Sequence, residues 1–301
     1  MAAQTVAAGS HLGRRVAPAA AAFDASREFE YTASDFEQIR ALIYERAGIS
    51  LSPAKQDMVY SRLSRRLRAC ELHRFSDYLE LLQSDAADAE WEQFTNSLTT
   101  NLTSFFREAH HFPMLRDHIA ARKNKSHIRL WSSASSTGEE PYSMAMTMVE
   151  LFGGFDAPVE IVATDLDTQV LRKASDGVYP VERVEKMDAQ RVKKFFLRGS
   201  GQQEGFVKVR PELRAMITFQ QLNLLDPRWD VEGPFAGIFC RNVLIYFDKE
   251  TQAKILRRFA PMMEPDAQLY IGHSESLFHV SDVFKLLGKT VYQRVRLRAG
   301  A

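Results

Sequence analysis

The stretch Phe239-Cys240-Arg241-Asn242-Val243-Leu244-Ile245-Tyr246-Phe247 decides how this chain is read. An apolar run over residues 235–239 stops at the polar pair Arg241-Asn242, and a polar, helix-starting segment follows at Asp248-Lys249-Glu250. In an open α/β sheet, ligands bind outside the carboxyl ends of the strands. A polar pair there either holds a substrate or cofactor or merely caps a strand.

The same rhythm extends outward in both directions. Residues 128–131 and 159–163 read as short buried strands, with a helix over about 140–151 between them. Residues 217–222 and 268–271 add strands, and helices are expected around 168–174 and 249–263. Strands alternating with helices imply a largely parallel sheet. Residues 283–295 read as a terminal hairpin turning at Gly288. The glycines of 199–210 and the alternation Phe206-Val207-Lys208-Val209 interrupt the pattern and suggest a small antiparallel insertion.

Before residue 98 the period is helical. Ser34 with Glu37 forms a capping-box signature, and Phe36, Ile39, Ile43 and Ala47 keep helical spacing up to Gly48. Ser52 then Pro53 reads as the N-cap and first residue of a second helix. Tyr78, Leu81 and Leu82 suggest a third helix, and Trp91, Phe94 and Leu98 a fourth. Residues 1–26 are Ala-rich and hold Gly9, Gly13 and Pro18, which suits a disordered tail.

Length and charge narrow the classes. The 301 residues suffice for two domains. The net charge of +1, from 39 basic and 38 acidic residues, does not suit a globally basic nucleic-acid binder, so no nucleic-acid partner is expected. Cys70 and Cys240 lie far apart without metal-ligand spacing, which fits a reducing cytosol and argues against a disulfide framework or a zinc site; no metal is expected. No apolar run approaches the ~20 residues needed to span a bilayer. No membrane insertion is expected, and a cytoplasmic location is.

Gly138-Glu139-Glu140-Pro141 falls between the first strand and first helix of the sheet region, where a small residue lets backbone N–H groups approach a ligand. It has one glycine where the dinucleotide fingerprint needs three. Two acids at a helix start repel a pyrophosphate and suit a cationic ligand, or simply favour the helix dipole. Asp165, closing the second strand, suits the hydroxyls of a ribose, and Asp167 suits a helix cap. Asn223 suits an adenine edge or a turn.

Two further segments, Thr99-Thr100-Asn101-Leu102-Thr103-Ser104-Phe105-Phe106-Arg107-Glu108-Ala109-His110-His111-Phe112 and Ser135-Ser136-Thr137-Gly138-Glu139-Glu140-Pro141-Tyr142-Ser143, are decisive when taken with Arg241-Asn242 and Tyr246. Together they closely resemble the bacterial chemotaxis methyltransferases of the CheR family, over residues from about 30 to about 295. The resemblance implies an α/β fold of the S-adenosylmethionine-dependent methyltransferase type, mostly parallel, with a small antiparallel β insertion and an all-α N-terminal domain. It implies a tail over 1–29, a helical receptor-docking domain over 30–98, a linker over 99–115 that contributes to the cofactor site, and a catalytic domain over 116–301 with its β-subdomain at about 199–219.

By the same resemblance, S-adenosylmethionine is bound by Asn101, Thr103, Arg107, Glu140, Asp165, Asn223, Leu224, Arg241 and Asn242, and leaves as S-adenosylhomocysteine. Arg107 and Tyr246 are the catalytic candidates, with Phe105 and Phe106 expected to restrict Arg107. The implied substrates are glutamate side chains on the cytoplasmic helices of chemoreceptors. A glutamate carboxylate, with pKa about 4.3, is already ionised at neutral pH, so no general base is required, only in-line positioning and exclusion of water. Lys55, Arg62, Arg65 and Arg66 of the second helix form an apt docking surface for acidic helices, or a solvated basic face. Some family members pair the β-subdomain with a receptor's C-terminal pentapeptide by strand addition, and members differ in this. The adjacent His110 and His111, expected to point to different faces, make a poor chelate, and His273 suits structural support near the pocket.

Two other classes compete. An amino-methylating nucleic-acid enzyme would carry an Asn-Pro-Pro-Tyr type motif, whereas Val243-Leu244-Ile245 intervene here. A non-catalytic adaptor that binds the cofactor would not need Arg107 and Tyr246.

Overall fold

The computed structural model describes residues 27–84, 88–122, 125 and 127–295. Four helices open it: α1 (Ala33–Ala47), α2 (Gln56–Ala69), α3 (Phe75–Leu82) and α4 (Asp88–Leu98). The capping box of α1 lies two residues earlier than Ser34–Glu37. Thr32 is the N-cap, with Asp35 N donating to Thr32 Oγ1 at 3.1 Å and Thr32 N donating to Asp35 Oδ2 at 2.8 Å. Phe36 is buried, so the helix must already be running there, and the extended backbone of Thr32 suits the cap position. Pro53 opens a 3-10 turn over Pro53–Lys55 that leads into α2, but the Ser52 hydroxyl caps nothing.

The helical core joins Phe36, Ile39 and Ile43 of α1 to Leu63 and Leu67 of α2, Phe75 and Tyr78 of α3, and Phe94 of α4. Each such side chain contributes about 1.5–3 kcal/mol on burial. Residues 27–29, expected in the tail, belong to this domain. Phe29 is buried in the same core, and Arg27 and Glu28 pair with Asp57 and Arg68 of α2. Residues 1–26 lie outside the described residues.

The linker is an irregular segment over 99–110 and ends five residues short of expectation. Helix α5 (His111–Ala120) follows, because Phe112, Leu115 and Ile119 recur at helical spacing and bury against the sheet. Then come β1 (Ile128–Ser132), α6 (Glu139–Phe152), β2 (Val159–Asp165), α7 (Thr168–Asp176), β3 (Val178–Pro180), α8 (Ala189–Phe195), β4 (Phe196–Arg198), β5 (Phe206–Val209), α9 (Pro211–Arg214), β6 (Ile217–Gln221), β7 (Phe235–Cys240), α10 (Lys249–Phe259), β8 (Met263–Ile271), β9 (Phe284–Gly288) and β10 (Val291–Arg294).

The main sheet has seven strands in the order β6-β2-β1-β7-β8-β10-β9. The β1, β2, β6, β7 and β8 pairings are parallel, with Trp131 opposite both Val162 and Ile238. The β9–β10 hairpin adds antiparallel to β8, as expected. All six residues of β7 are buried, the uninterrupted apolar run of a strand covered on both faces. On one face lie α5, α6 and the insertion. On the other, α10 places Phe259 against Trp131 and Phe235.

The insertion is larger and earlier than 199–219. Its antiparallel sheet has the order β3-β5-β4 and begins at Val178, whereas residues 217–221 belong to the main sheet. Strands of three residues, one ending in Pro180, leave too little alternation to read. No helix among the described residues is long and apolar enough to cross a membrane.

Strand order reverses beside β1, with β2 on one side and β7 on the other. The crevice this creates lies outside the strand C-termini. The helical domain roofs it: Ser50 N donates to Tyr246 O at 2.8 Å, Tyr44 Oη to Asp248 Oδ2 at 2.6 Å, and Asn223 Nδ2 to Arg46 O at 2.9 Å.

Candidate active site

A cleft enclosing about 950 Å³, partly continuous with solvent, occupies this crevice. Every strand from β6 to β7 contributes the residues just past its C-terminus: Ser133, Ala134 and Ser136 after β1, Asp165 and Leu166 at β2, Leu222 to Leu224 after β6, and Arg241 to Val243 after β7. The linker supplies Thr99 to Thr103 and Arg107, and the helical domain supplies Ala47, Ile49 and Leu98. All nine expected cofactor residues and Tyr246 line this one space.

The acids sit deep. Glu140 is buried, accepts from Ser132 Oγ at 2.7 Å and pairs with Arg241 Nη1 at 3.2 Å. Burial pushes its carboxyl up, against the opposing pull of Arg241 and Ser132. Glu139 points away, held by Arg183 and Thr137. The helix start therefore presents one acid to the cleft. Gly138 itself does not line the cleft. Its φ is +96°, and a Cβ there would meet Ala174 Cβ at 2.8 Å and Tyr179 Oη at 2.9 Å, so α7 and the insertion require the glycine.

Asp165 accepts from Ser136 N at 2.8 Å and from Asp167 N at 3.0 Å, one bond per oxygen, which leaves a lone pair on each for a pair of hydroxyls. Burial pushes this carboxyl up to about 6. Only its ionised form accepts from two hydroxyls at once. Cofactor affinity is therefore expected in full well above pH 6 and lost as pH falls through about 6, by up to about tenfold per pH unit below it. Calorimetric titration of S-adenosylhomocysteine between pH 5 and 8 checks this, and Asp165→Asn should flatten the profile.

Other residues in and around the cleft have structural partners of their own. Asp167 caps α7, as expected, and also accepts from Asn101 Nδ2 at 2.8 Å. Asn101 starts no helix; it fastens the linker to α7, while its carbonyl accepts from Ser136 Oγ at 2.9 Å. Asn223 makes its own turn, accepting from Leu225 N at 3.0 Å. Phe105 packs edge-on against Tyr179 and Phe196, and Phe106 against Phe112. The Arg107 side chain is half-buried and donates from Nη1 to Leu102 O at 2.8 Å. The Tyr246 hydroxyl lies 3.5 Å from Thr100 O.

The basic helix α2 departs from expectation. Arg62 donates to Leu98 O, Thr99 O and Thr100 Oγ1 at 3.0, 2.7 and 3.0 Å, holding the first residues of the linker. Arg66 makes a bidentate pair with Glu90. Neither is a free docking cation. Lys55 and Arg65 are exposed and make no ion pair among the described residues. Helical spacing alone could not reveal that carbonyls and Glu90 stand opposite these arginines.

His110 and His111 do not point to different faces. Their ring centroids are 4.2 Å apart, and both Nε2 atoms approach Lys289 O, at 3.3 and 3.1 Å. With Glu108 they form a group whose donor atoms lie within 4.8 Å of one another. Arg241 Nη2 stands 3.8 Å from Glu108 and already supplies positive charge, which disfavours a second cation. His273 braces the site, with Nδ1 2.9 Å from Glu108 Oε1.

The architecture matches a known family across both domains. Residues 101–293 match the "CheR methyltransferase, SAM binding domain" and residues 34–99 the "CheR methyltransferase, all-alpha domain". The chain belongs to the CheR methyltransferase family. It is 52% identical to the chemotaxis protein methyltransferase of Escherichia coli over 257 residues, covering 85% of this chain and 89% of that one. It is 50% identical to chemotaxis protein methyltransferase 2 of Pseudomonas aeruginosa over 269 residues, covering 89% and 95%. A probable chemotaxis protein methyltransferase of Rhizobium etli is 40% identical over 259 residues, covering 84% and 96%. The cofactor of this CheR-family methyltransferase is S-adenosylmethionine. The donor set fits it: a buried acid, Glu140, for a cationic end, a two-oxygen acceptor, Asp165, for a diol, and Leu166, Leu222 and Leu224 around a flat apolar part.

Proposed function

We propose that this CheR-family chain methylates glutamate side chains on the cytoplasmic helices of chemoreceptors. The observation that carries the reading is the cleft lining. A half-buried arginine and tyrosine, Arg107 and Tyr246, share it with the buried acids, with no histidine or lysine among the lining residues. A carboxylate acceptor suits that arrangement, because it arrives ionised and needs orientation more than deprotonation. When bound, the cofactor supplies an electrophilic methyl group.

The chain's own residues supply position and dryness. Arg107 spends one N–H on Leu102 O, so its other donors are free to orient an acceptor carboxylate through charge-assisted bonds. Tyr246 adds a hydroxyl donor opposite. Ala47, Ile49 and Leu98 of the helical domain close the apolar side against water. Asp165, Asn223, Leu224, Asn101 and Thr103 hold the cofactor's far end, and Glu140 with Arg241 and Asn242 its amino-acid end. Neutralising receptor carboxylates reduces repulsion between packed helices, a direct route from methylation to signal bias.

Docking rests on Lys55 and Arg65, the exposed cations of the basic face. Lys55→Glu with Arg65→Glu is expected to raise KM for receptor several-fold and leave cofactor affinity unchanged; an unchanged receptor KM would remove this surface from consideration. The edge strands β3 and β4 of the insertion are where a receptor tail would add. Peptide mass spectrometry of receptor incubated with the enzyme tests the whole reading. One added methylene on glutamate residues supports it, and modification confined to lysine or to nucleic acid contradicts it.

A further inference from the structure

Arg107 is flanked by two residues in the left-handed region, Phe106 at φ +53° and Glu108 at φ +54°. Each such non-glycine residue costs about 1–3 kcal/mol and persists only where its surroundings over-determine it. Phe106 is held by its N–H on Ser143 Oγ at 2.9 Å and by its ring against Phe112. Glu108 is held through its carboxylate. Oε1 accepts from Asn242 Nδ2 and from His273 N, both at 3.3 Å, and lies 2.9 Å from His273 Nδ1.

These partners are the residues just past β7 and β8. Asn242 is itself left-handed, at φ +58°. Glu275 grips the same turns from the other side, accepting from Asn242 N at 2.9 Å, Gly272 N at 2.6 Å and Ile245 N at 3.3 Å. Space there is so tight that a Cβ on Gly272 would fall 2.4 Å from Asn242 Nδ2 and 2.7 Å from Glu275 Oε2. Glu108 thus stitches the linker to the ends of adjacent strands, and Glu275 ties those two ends to each other. Meanwhile Arg241 donates to the Arg107 carbonyl and stands 3.8 Å from Glu108 Oε2, a buried oxygen that accepts no hydrogen bond among the described residues.

We propose that Glu108 is a positioning residue: it fixes the strained turn that aims Arg107 at the acceptor carboxylate. This rests on the role given to Arg107 above. Burial opposes ionisation of Glu108, but the contacts with His273, Arg241 and Asn242 outweigh it and hold the carboxyl below its usual range. Its charge faces Arg241, so an amide of the same shape keeps an acceptor for Asn242 while losing that attraction and turning N–H donors toward a guanidinium.

The test is Glu108→Gln, with His273→Ala and Arg107→Ala measured alongside. Glu108→Gln is expected to lower kcat for receptor methylation about tenfold or more, with S-adenosylhomocysteine affinity retained and only a modest fall in thermal midpoint. His273→Ala, which removes a mostly exposed ring, should lower kcat in the same direction by less. Wild-type kcat in Glu108→Gln, or a loss matched by lost cofactor binding and a large fall in midpoint, overturns the proposal. Should Glu108→Gln fail to fold, wild-type kcat in His273→Ala overturns it instead. An inactive Arg107→Ala beside a fully active Glu108→Gln refutes the positioning role alone, whereas an active Arg107→Ala refutes the reading beneath it.

Discussion

Arg107→Ala is expected to lower turnover by roughly 10²-fold or more while leaving the fold in place, with any loss of cofactor affinity much smaller than the loss of turnover. The side chain is half-buried in the cleft lining, and its only hydrogen bond to the chain among the described residues is to the carbonyl of Leu102. Deleting it therefore removes little packing and leaves no buried partner stranded. The backbone of the turn stays held by other groups: Phe106 N on Ser143, the Phe105 and Phe106 rings, and Arg241 on the residue 107 carbonyl. What is lost is orientation of the acceptor carboxylate. Steady-state kinetics with saturating cofactor, beside calorimetry with S-adenosylhomocysteine, separates the two effects. A kcat near wild type would mean that Arg107 does not orient the acceptor.

Glu140→Ala is expected to act on both stability and binding. It strands Arg241, a buried guanidinium whose other acidic neighbour, Glu108, is 3.8 Å away. Breaking one side of a buried ion pair costs about 3–5 kcal/mol. The same substitution removes the acid we propose faces the cationic end of the cofactor, so affinity should collapse as well. Denaturant unfolding and calorimetry measure the two losses. The double variant Glu140→Leu with Arg241→Met removes both charges and should recover much of the stability without recovering binding, because isosteric apolar pairs often replace buried ion pairs at little cost. Recovery of both would mean that Glu140 serves only as the counter-ion of Arg241.

The parallel sheet and the helical domain were legible from periodicity and run length. The buried run 235–239, the apolar spacing of Phe36, Ile39 and Ile43, and the hairpin at Gly288 all stand where their patterns put them. Elements with too few residues for a period, such as β3 and β4, carry no readable pattern, and their sheet begins some twenty residues before the glycine-marked stretch 199–210. The site was legible as a set through the family resemblance, and for Asp165, Asn223, Arg241 and Asn242 also because they stand at strand ends, where topology brings distant residues together. Tertiary partners were not. Arg62 looked like a docking cation until the carbonyls of Leu98 and Thr99 appeared opposite it. Gly138 looked like a ligand-facing glycine until Ala174 and Tyr179 filled the space beside it. Glu108 gave no signal of its own. Its importance comes from left-handed backbone on either side of Arg107 and from the turns after two strands distant in sequence.

The most direct measurement is transfer of labelled methyl from S-adenosylmethionine to chemoreceptor-bearing membranes, followed by mild base. Glutamyl methyl esters release their label as volatile methanol, and that release, absent with Arg107→Ala, is the expected result. Label that withstands base, or full labelling by Arg107→Ala, would contradict carboxylate methylation at this site.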